Sequence, residues 1–173
     1  MTLTLERFID FARERHAGQT SMSGEPYIEH IIRVLDNTDK LLASLPDGMM
    51  AETDKQETRL LAVGHDLIED RRASKDDIRA IGGGERLVSR LIAVSRMEEP
   101  KPVYQQWIKG IVISGDLALI IAKLADNLDN NSDERIASLP PEKQSIRNRY
   151  DRAFATLRGG LDGKIAAFLS GGA

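Results

Sequence analysis

The chain contains three histidines, His16, His30 and His65. His65 runs directly into Asp66 and then Leu67-Ile68-Glu69-Asp70. If this stretch is helical, Glu69 lies four residues beyond His65, and Asp70 lies four beyond Asp66. One face then presents an imidazole and three carboxylates. Acids this close repel one another unless a cation sits among them. Imidazole with carboxylate is a mixed donor set that suits divalent Mn, Fe, Zn, Co or Mg. Taken alone, a His-Asp pair is more often an acidic helix end around a satisfied, semi-buried histidine. Two further features argue for a site. His30 lies near the start of another helix. Asp126 follows directly on an apolar stretch from Leu117, where a buried acid requires a partner. His30, His65, Asp66 and Asp126 would together make a four-ligand site drawn from three helices, with Asn130 one turn beyond Asp126.

The elements that must position these residues read as helices almost throughout. Leu5 to Ala12 marks a first helix, stopped by Gly18, and a polar loop follows from Gly18 to Glu25. Pro26 opens a second helix that closes near Pro46 to Gly48. A third is expected from about Glu52 to Asp70, carrying the His-Asp patch. Ser74 caps a short helix that ends at Gly82-Gly83-Gly84. Leu87 to Val94, Val103 to Ser114 and Asp116 to Asn130 form three more, the last crossing the core. A long helix is expected from Pro140 to Arg158 and a short one from Leu161 to Leu169, with a mobile tail from Ser170. No segment alternates with period two between hairpin turns, so the fold class is all-α.

The composition sets bounds on function. With 173 residues the length suits one domain, and a net charge of -3 lacks the basic surplus of a nucleic-acid binder. The absence of Cys excludes disulfides, thiolate metal sites and cysteine nucleophiles. No apolar run is long enough for a membrane helix, and the N-terminus lacks a signal-peptide core. The expected location is cytoplasmic, without nucleic-acid or membrane partners. Homodimerisation is left open.

The order H…HD…D is that of the HD-domain metal-dependent phosphohydrolases. The chain adds Gly18-Gln19, Gly24-Glu25-Pro26-Tyr27-Ile28-Glu29-His30, Gly64-His65-Asp66-Leu67-Ile68-Glu69-Asp70 and Lys123-Leu124-Ala125-Asp126, then Leu128 and Asn130. With these it resembles the alarmone hydrolase domain of RelA/SpoT-type enzymes, and single-domain small alarmone hydrolases in particular, over about residues 5–158. The resemblance implies one HD-type helical bundle over 1–173 with a metal at its centre. It implies that His30, His65, Asp66 and Asp126 hold one divalent ion, usually Mn2+. Glu69 and Asp70 match an acidic pair that handles the attacking water, and Asn130 matches a nucleotide contact. Ser95 and Arg96 stand where the family has Thr-Lys, which keeps a hydroxyl and a cation. The family's Arg-Lys before the GEPYI stretch is Ser21-Met22 here. Its KLADRLHN is here Lys123 to Asn130, with Asn127 for the Arg and Asp129 for the His.

The expected function is metal-dependent hydrolysis of a nucleotide, with (p)ppGpp cleaved at its 3′-pyrophosphate the best single substrate. The alternatives are another nucleotide, such as a nucleoside monophosphate or a nicotinamide dinucleotide phosphate, and a non-catalytic metal and nucleotide sensor. Glu69 and Asp70 argue against the sensor, which needs ligands but no proton handlers. Arg147, Arg149 and Tyr150 are candidates to reach a phosphate or sugar, against a solvated helix face with Lys143 and Arg152. Tyr27 either stacks on a base or packs. His16 is expected to be a partly exposed structural histidine, and Trp107 to lie in the core. The glycine run 82–84 lacks the context of a phosphate loop.

Overall fold

A computed structural model describes residues 3–97 and 99–171. In chain order the helices are α1 (Leu5–Arg15), α2 (Tyr27–Ala43), α3 (Glu52–Gly64), α4 (Lys75–Ala80) and α5 (Glu85–Val94). They continue with α6 (Tyr104–Ser114), α7 (Leu117–Asn130), α8 (Asp133–Ala137) and α9 (Arg147–Gly171), which a 3-10 turn at Pro141–Ile146 precedes. Among the described residues no strand forms, and the one isolated bridge pairs Thr20 with Pro26.

The centre is α7. Every residue from Ala118 to Asn127 is buried, and the helix packs against α2, α3 and α9. Its start is fixed by Asp116, whose carboxylate accepts from the Ala118 and Leu119 amides while Arg90 donates to it at 2.8 Å. Gly115, at φ 71, lets the chain turn from α6 into α7. The cap of α4 is reciprocal, Ser74 accepting from the Asp77 amide and Asp77 from the Ser74 amide.

Four expectations are corrected. The third helix ends at Gly64, not Asp70. A side chain at Gly64 would meet the Phe8 ring at 2.7 Å and Leu91 at 2.9 Å, so glycine lets α3 approach α1 and α5 closely. Beyond it the chain winds into a tight turn in which the Arg72 and Ala73 amides both donate to the Leu67 carbonyl and Arg71 takes φ 55. Leu67 and Ile68 are buried beneath that turn. Next, the expected split of the last helix is absent. The segment after Pro140 is 3-10 at first, and α9 then runs unbroken through Gly159 and Gly160 to Gly171. Gly160 faces Val112 of α6, where a Cβ would meet Val112 Cγ1 at 2.7 Å, so this glycine serves close packing and does not stop the helix. Ser170 therefore belongs to α9, and the rest of the expected tail, 172–173, lies outside the described residues. Third, α8 was not expected; Ser132 caps it and Ile136 anchors it. Finally, His16 is buried, at 3% exposure, where it caps the end of α1.

Candidate metal centre and its cleft

The end of α3, the first turn of α2 and the second half of α7 meet at one point. His30, His65 and Asp126 each bring a ligand atom within 4.8 Å of the others. Asp66 joins them, its Oδ2 lying 3.0 Å from His65 Nε2 and 3.7 Å from His30 Nε2. Asp126 Oδ1 is 3.5 Å and 3.6 Å from the same two nitrogens. The four residues expected from the sequence thus converge, although His65 and Asp66 do so from a helix end and the turn after it.

Hydrogen bonds fix which atoms face inward. His65 Nδ1 donates to the Ala62 carbonyl at 2.7 Å, and His30 Nδ1 donates to Asp129 Oδ2 at 2.7 Å. Both Nε2 atoms are left pointing at carboxylate oxygens. His65 Nε2 is buried and makes no hydrogen bond of acceptable geometry, despite the short approach of Asp66. A lone pair facing carboxylate lone pairs in a buried site needs a cation between them, either a proton or a metal ion. In the ion-free site the proton takes that place. Burial disfavours the His65 imidazolium, yet Asp66 and Asp126 outweigh it and raise its pKa well above the ordinary value. Burial would likewise raise Asp66, but His65 and His30 hold it well below the carboxylate range. Lys123, with Nζ 2.6 Å from Asp126 Oδ2, does the same for Asp126. The nitrogen and oxygen donors, the orphaned Nε2 and the tied-off Nδ1 atoms fit a divalent first-row ion.

The supports around the four were only partly foreseen. Asp129 stands at the position of the family's His. It faces away from the cleft, buried against His30, where Arg33 and Arg135 also donate to it, the latter at 2.8 Å. Burial opposes its ionisation, but His30 and Arg33 bring its pKa down to about 2. Asp126 and Asp129, one turn apart on α7, therefore flank the His30 ring at its two nitrogens. Tyr27 was a stacking candidate. Its ring is already sandwiched by His16 at 4.9 Å and by the edge of His30 at 5.3 Å, and its hydroxyl donates to Asp66. Lys123 also lies over the Trp107 ring, at 4.6 Å. Its i, i+3 spacing from Asp126 was the available signal.

A cleft of about 370 Å³ opens above the metal ligands, lined by Asp66, Asp126, Glu69, Asp70, Asn130 and Tyr27. Asp70 accepts from Gln19 Nε2 at 2.7 Å, and Gln19 is itself held by His16 Nδ1 at 2.8 Å. Burial and the neighbouring Asp66 raise the Asp70 pKa. Glu69 accepts from the Arg96 amide at 2.9 Å. Asn130 Nδ2 donates to Asp126 Oδ1. The cleft is also lined by Arg96, Tyr104, Arg149 and Tyr150. Arg96 and Arg149 each lie 5.5 Å from the centre of the Tyr104 ring. Two expected contacts are not on these walls. The Ser95 hydroxyl is buried and donates to the Leu91 carbonyl at 2.7 Å. Arg147 sits on the surface, paired with Asp133 at 2.6 Å, and its neighbour Arg149 takes the cleft position.

No family model matches the chain. The chain is 32% identical over 143 residues to the bifunctional (p)ppGpp synthase/hydrolase SpoT of Escherichia coli, which covers 77% of this chain and 18% of that protein. It is 30% identical over 141 residues to a guanosine-3′,5′-bis(diphosphate) 3′-pyrophosphohydrolase of Vibrio cholerae, again 77% of this chain and 18% of the relative. This chain thus spans less than a fifth of these relatives' length. A solved structure described as a metazoan ortholog of SpoT that hydrolyzes ppGpp superposes with a TM-score of 0.67 at 17% identity, covering 96% of each chain. In sequence the chain resembles RelA/SpoT-type enzymes, and its fold is the all-helical one of that solved neighbour.

Proposed function

We propose that this chain is a divalent-metal-dependent nucleotide phosphohydrolase with (p)ppGpp as its best substrate, cleaved at the 3′-pyrophosphate. The observation that carries this reading is the convergence of two tied-off imidazoles on Asp66 and Asp126 beneath a cleft whose rim holds Asp70 and Glu69. SpoT-type relatives support the choice of substrate. When bound, the ion supplies Lewis acidity toward a phosphoryl oxygen and acidifies water, and we assign it as Mn2+ from the family resemblance. The protein's own residues do the rest. Asp70, held by Gln19 and raised in pKa, takes a proton from the attacking water. Glu69 fixes the Arg96 backbone. Lys123 neutralises Asp126 and offers a cation to the cleft, while Asn130 orients Asp126. Water adds to the 3′ diphosphate of ppGpp, and the products are GDP and pyrophosphate.

A specific observation also favours a second reading within this class. At the Ser21 and Met22 positions there is no charge. The Ser21 hydroxyl is spent on Ser23 Oγ at 2.7 Å, and Met22 is half exposed. A nucleotide other than ppGpp would need no cation there. We place the activity in the cytoplasm, with the whole chain as one functional unit and a small nucleotide as its partner.

Product analysis of the Mn2+-loaded protein against a nucleotide panel tests both readings. GDP and pyrophosphate from ppGpp, at higher kcat/KM than any other compound, is the expected result. Preference for another nucleotide removes the alarmone assignment. Calorimetric binding without turnover leaves a sensor.

A further inference from the structure

Beside the metal-site cleft lies a second depression of about 390 Å³, and Met22 and Arg149 line both. Its other walls include Lys143, Asn148 and Arg152, and no carboxylate lines it. The cations of this region fall into two groups. Those turned away from the depression have acidic partners, Arg147 with Asp133 and Arg158 with Asp162. Lys143, Arg149 and Arg152 have no ion pair among the described residues. Three unpaired cations around one concavity repel one another, in a protein whose net charge is -3. Arg149 is further held over the Tyr104 ring, 5.5 Å from its centre. That placement orders a guanidinium without neutralising it.

We propose that this depression is a second anion subsite, which takes a phosphate or diphosphate group on the part of the nucleotide remote from the reacting phosphorus. The inference rests on the phosphohydrolase reading for what occupies the first cleft. Arg149 stands at the junction of the two, with Lys143 and Arg152 beyond it. In this arrangement the cationic contacts come from α9 and the 3-10 turn before it, and Met22 contributes only an apolar lip. Contacts so far from the reaction are felt equally in ground and transition states, so they act on KM and not on kcat.

The test is the double variant Lys143→Gln/Arg152→Gln, both exposed positions, with an unchanged melting temperature as the check on folding. Its kinetics are compared with wild type on ppGpp and on guanosine 3′-diphosphate, which lacks the 5′ phosphates. The expected result is a KM for ppGpp raised by about tenfold, the scale of two screened charge-assisted contacts, with kcat unchanged. Kinetics on guanosine 3′-diphosphate should stay as in wild type. Equal changes on both substrates, or none on ppGpp, overturn the subsite. If wild type hydrolyses neither compound, the alarmone substrate assignment fails, and the subsite is then judged separately with inorganic pyrophosphate. Calorimetric binding that the double variant loses and that weakens with salt upholds it. Equal binding by both proteins, or by neither, overturns it.

Discussion

Two groups of residues around the cleft are held on different terms. At the candidate metal site each side chain is held by another group, most of them buried: Nδ1 of His30 by Asp129, Nδ1 of His65 by Ala62, Asp126 by Lys123 and Asn130, and Asp66 by Tyr27. Among the other lining residues Arg96 and Arg149 rest on an aromatic ring, and Met22 has no polar partner to satisfy. A buried polar network tolerates little change, because removing one partner strands another in low dielectric. A stacked, solvated guanidinium can be moved from one element to another at small cost. The departures at Ser21 and Met22 fall on this second, permissive side. Asp129, the departure on the strict side, is fully satisfied where it stands. On the proposed reading, the chemistry belongs to the first group and recognition is free to vary in the second.

The largest expected effect tests the strict side directly. Asp126→Asn, Asp66→Asn and His30→Ala should each lose bound metal and activity, and some thermal stability, because the charge or donor offsetting the cation is gone. Elemental analysis decides, and full occupancy in two of the three would refute the ligand set. The same site links metal to pH. His65, raised in pKa in the ion-free protein, stabilises that form fully below the unfolded histidine pKa, and this contribution is lost as pH rises through its folded pKa. Metal requires the neutral ring. The gain in melting temperature on adding metal should therefore grow from pH 6 to pH 8; a constant gain would show that no proton is displaced.

Next in size is the pair at the rim. Asp70→Asn should keep its metal while kcat falls by about a hundredfold or more, the scale of a lost general base. Glu69→Gln should cost less, since Gln can still accept from the Arg96 amide. The reverse order would exchange their roles. Smaller again, Asp129→Asn should weaken metal affinity by about tenfold to a hundredfold through loss of the carboxylate behind His30, read by metal titration. An unchanged affinity would reduce Asp129 to an ion-pair partner of Arg33 and Arg135. The smallest effect belongs to the permissive wall. Met22→Lys should lower the KM for ppGpp by about threefold and leave kcat alone, because one exposed charge is screened. A loss of turnover on that substitution would mean the lip was shaped for a different nucleotide.

What the sequence disclosed follows the same division. The convergence of His30, His65, Asp66 and Asp126 was legible because their residue types and order suit one chemistry, and the burial of α7 because its apolar stretch had to cross the core. The helical reading of Glu69 and Asp70 failed where Gly64 ended α3: periodicity does not reveal that Phe8 and Leu91 press on that residue. The direction of Asp129 was not legible, because it depends on how α7 is rotated against α2, which no local pattern records. Arg147 and Arg149 differ by only two positions, and the phase of α9 alone decides which one faces the cleft. The glycines at 159 and 160 carried the signature of a helix stop, and only the presence of Val112 opposite explains why they are not one.

That last contact has a mechanical consequence. The α6 helix begins with Tyr104, which lines the cleft, and reaches Val112 near its end, while α9 carries Arg149 and Tyr150 in its first turn and continues through Gly160. The two are laced together between these points by Gln105, which donates to Thr156 Oγ1 at 2.7 Å and to the Arg152 carbonyl at 3.3 Å. They form a lever with its fulcrum where Val112 rests on bare backbone, and the aperture of the cleft is set at the opposite end of the arms. A methyl group added at that fulcrum would be felt by a nucleotide it never approaches.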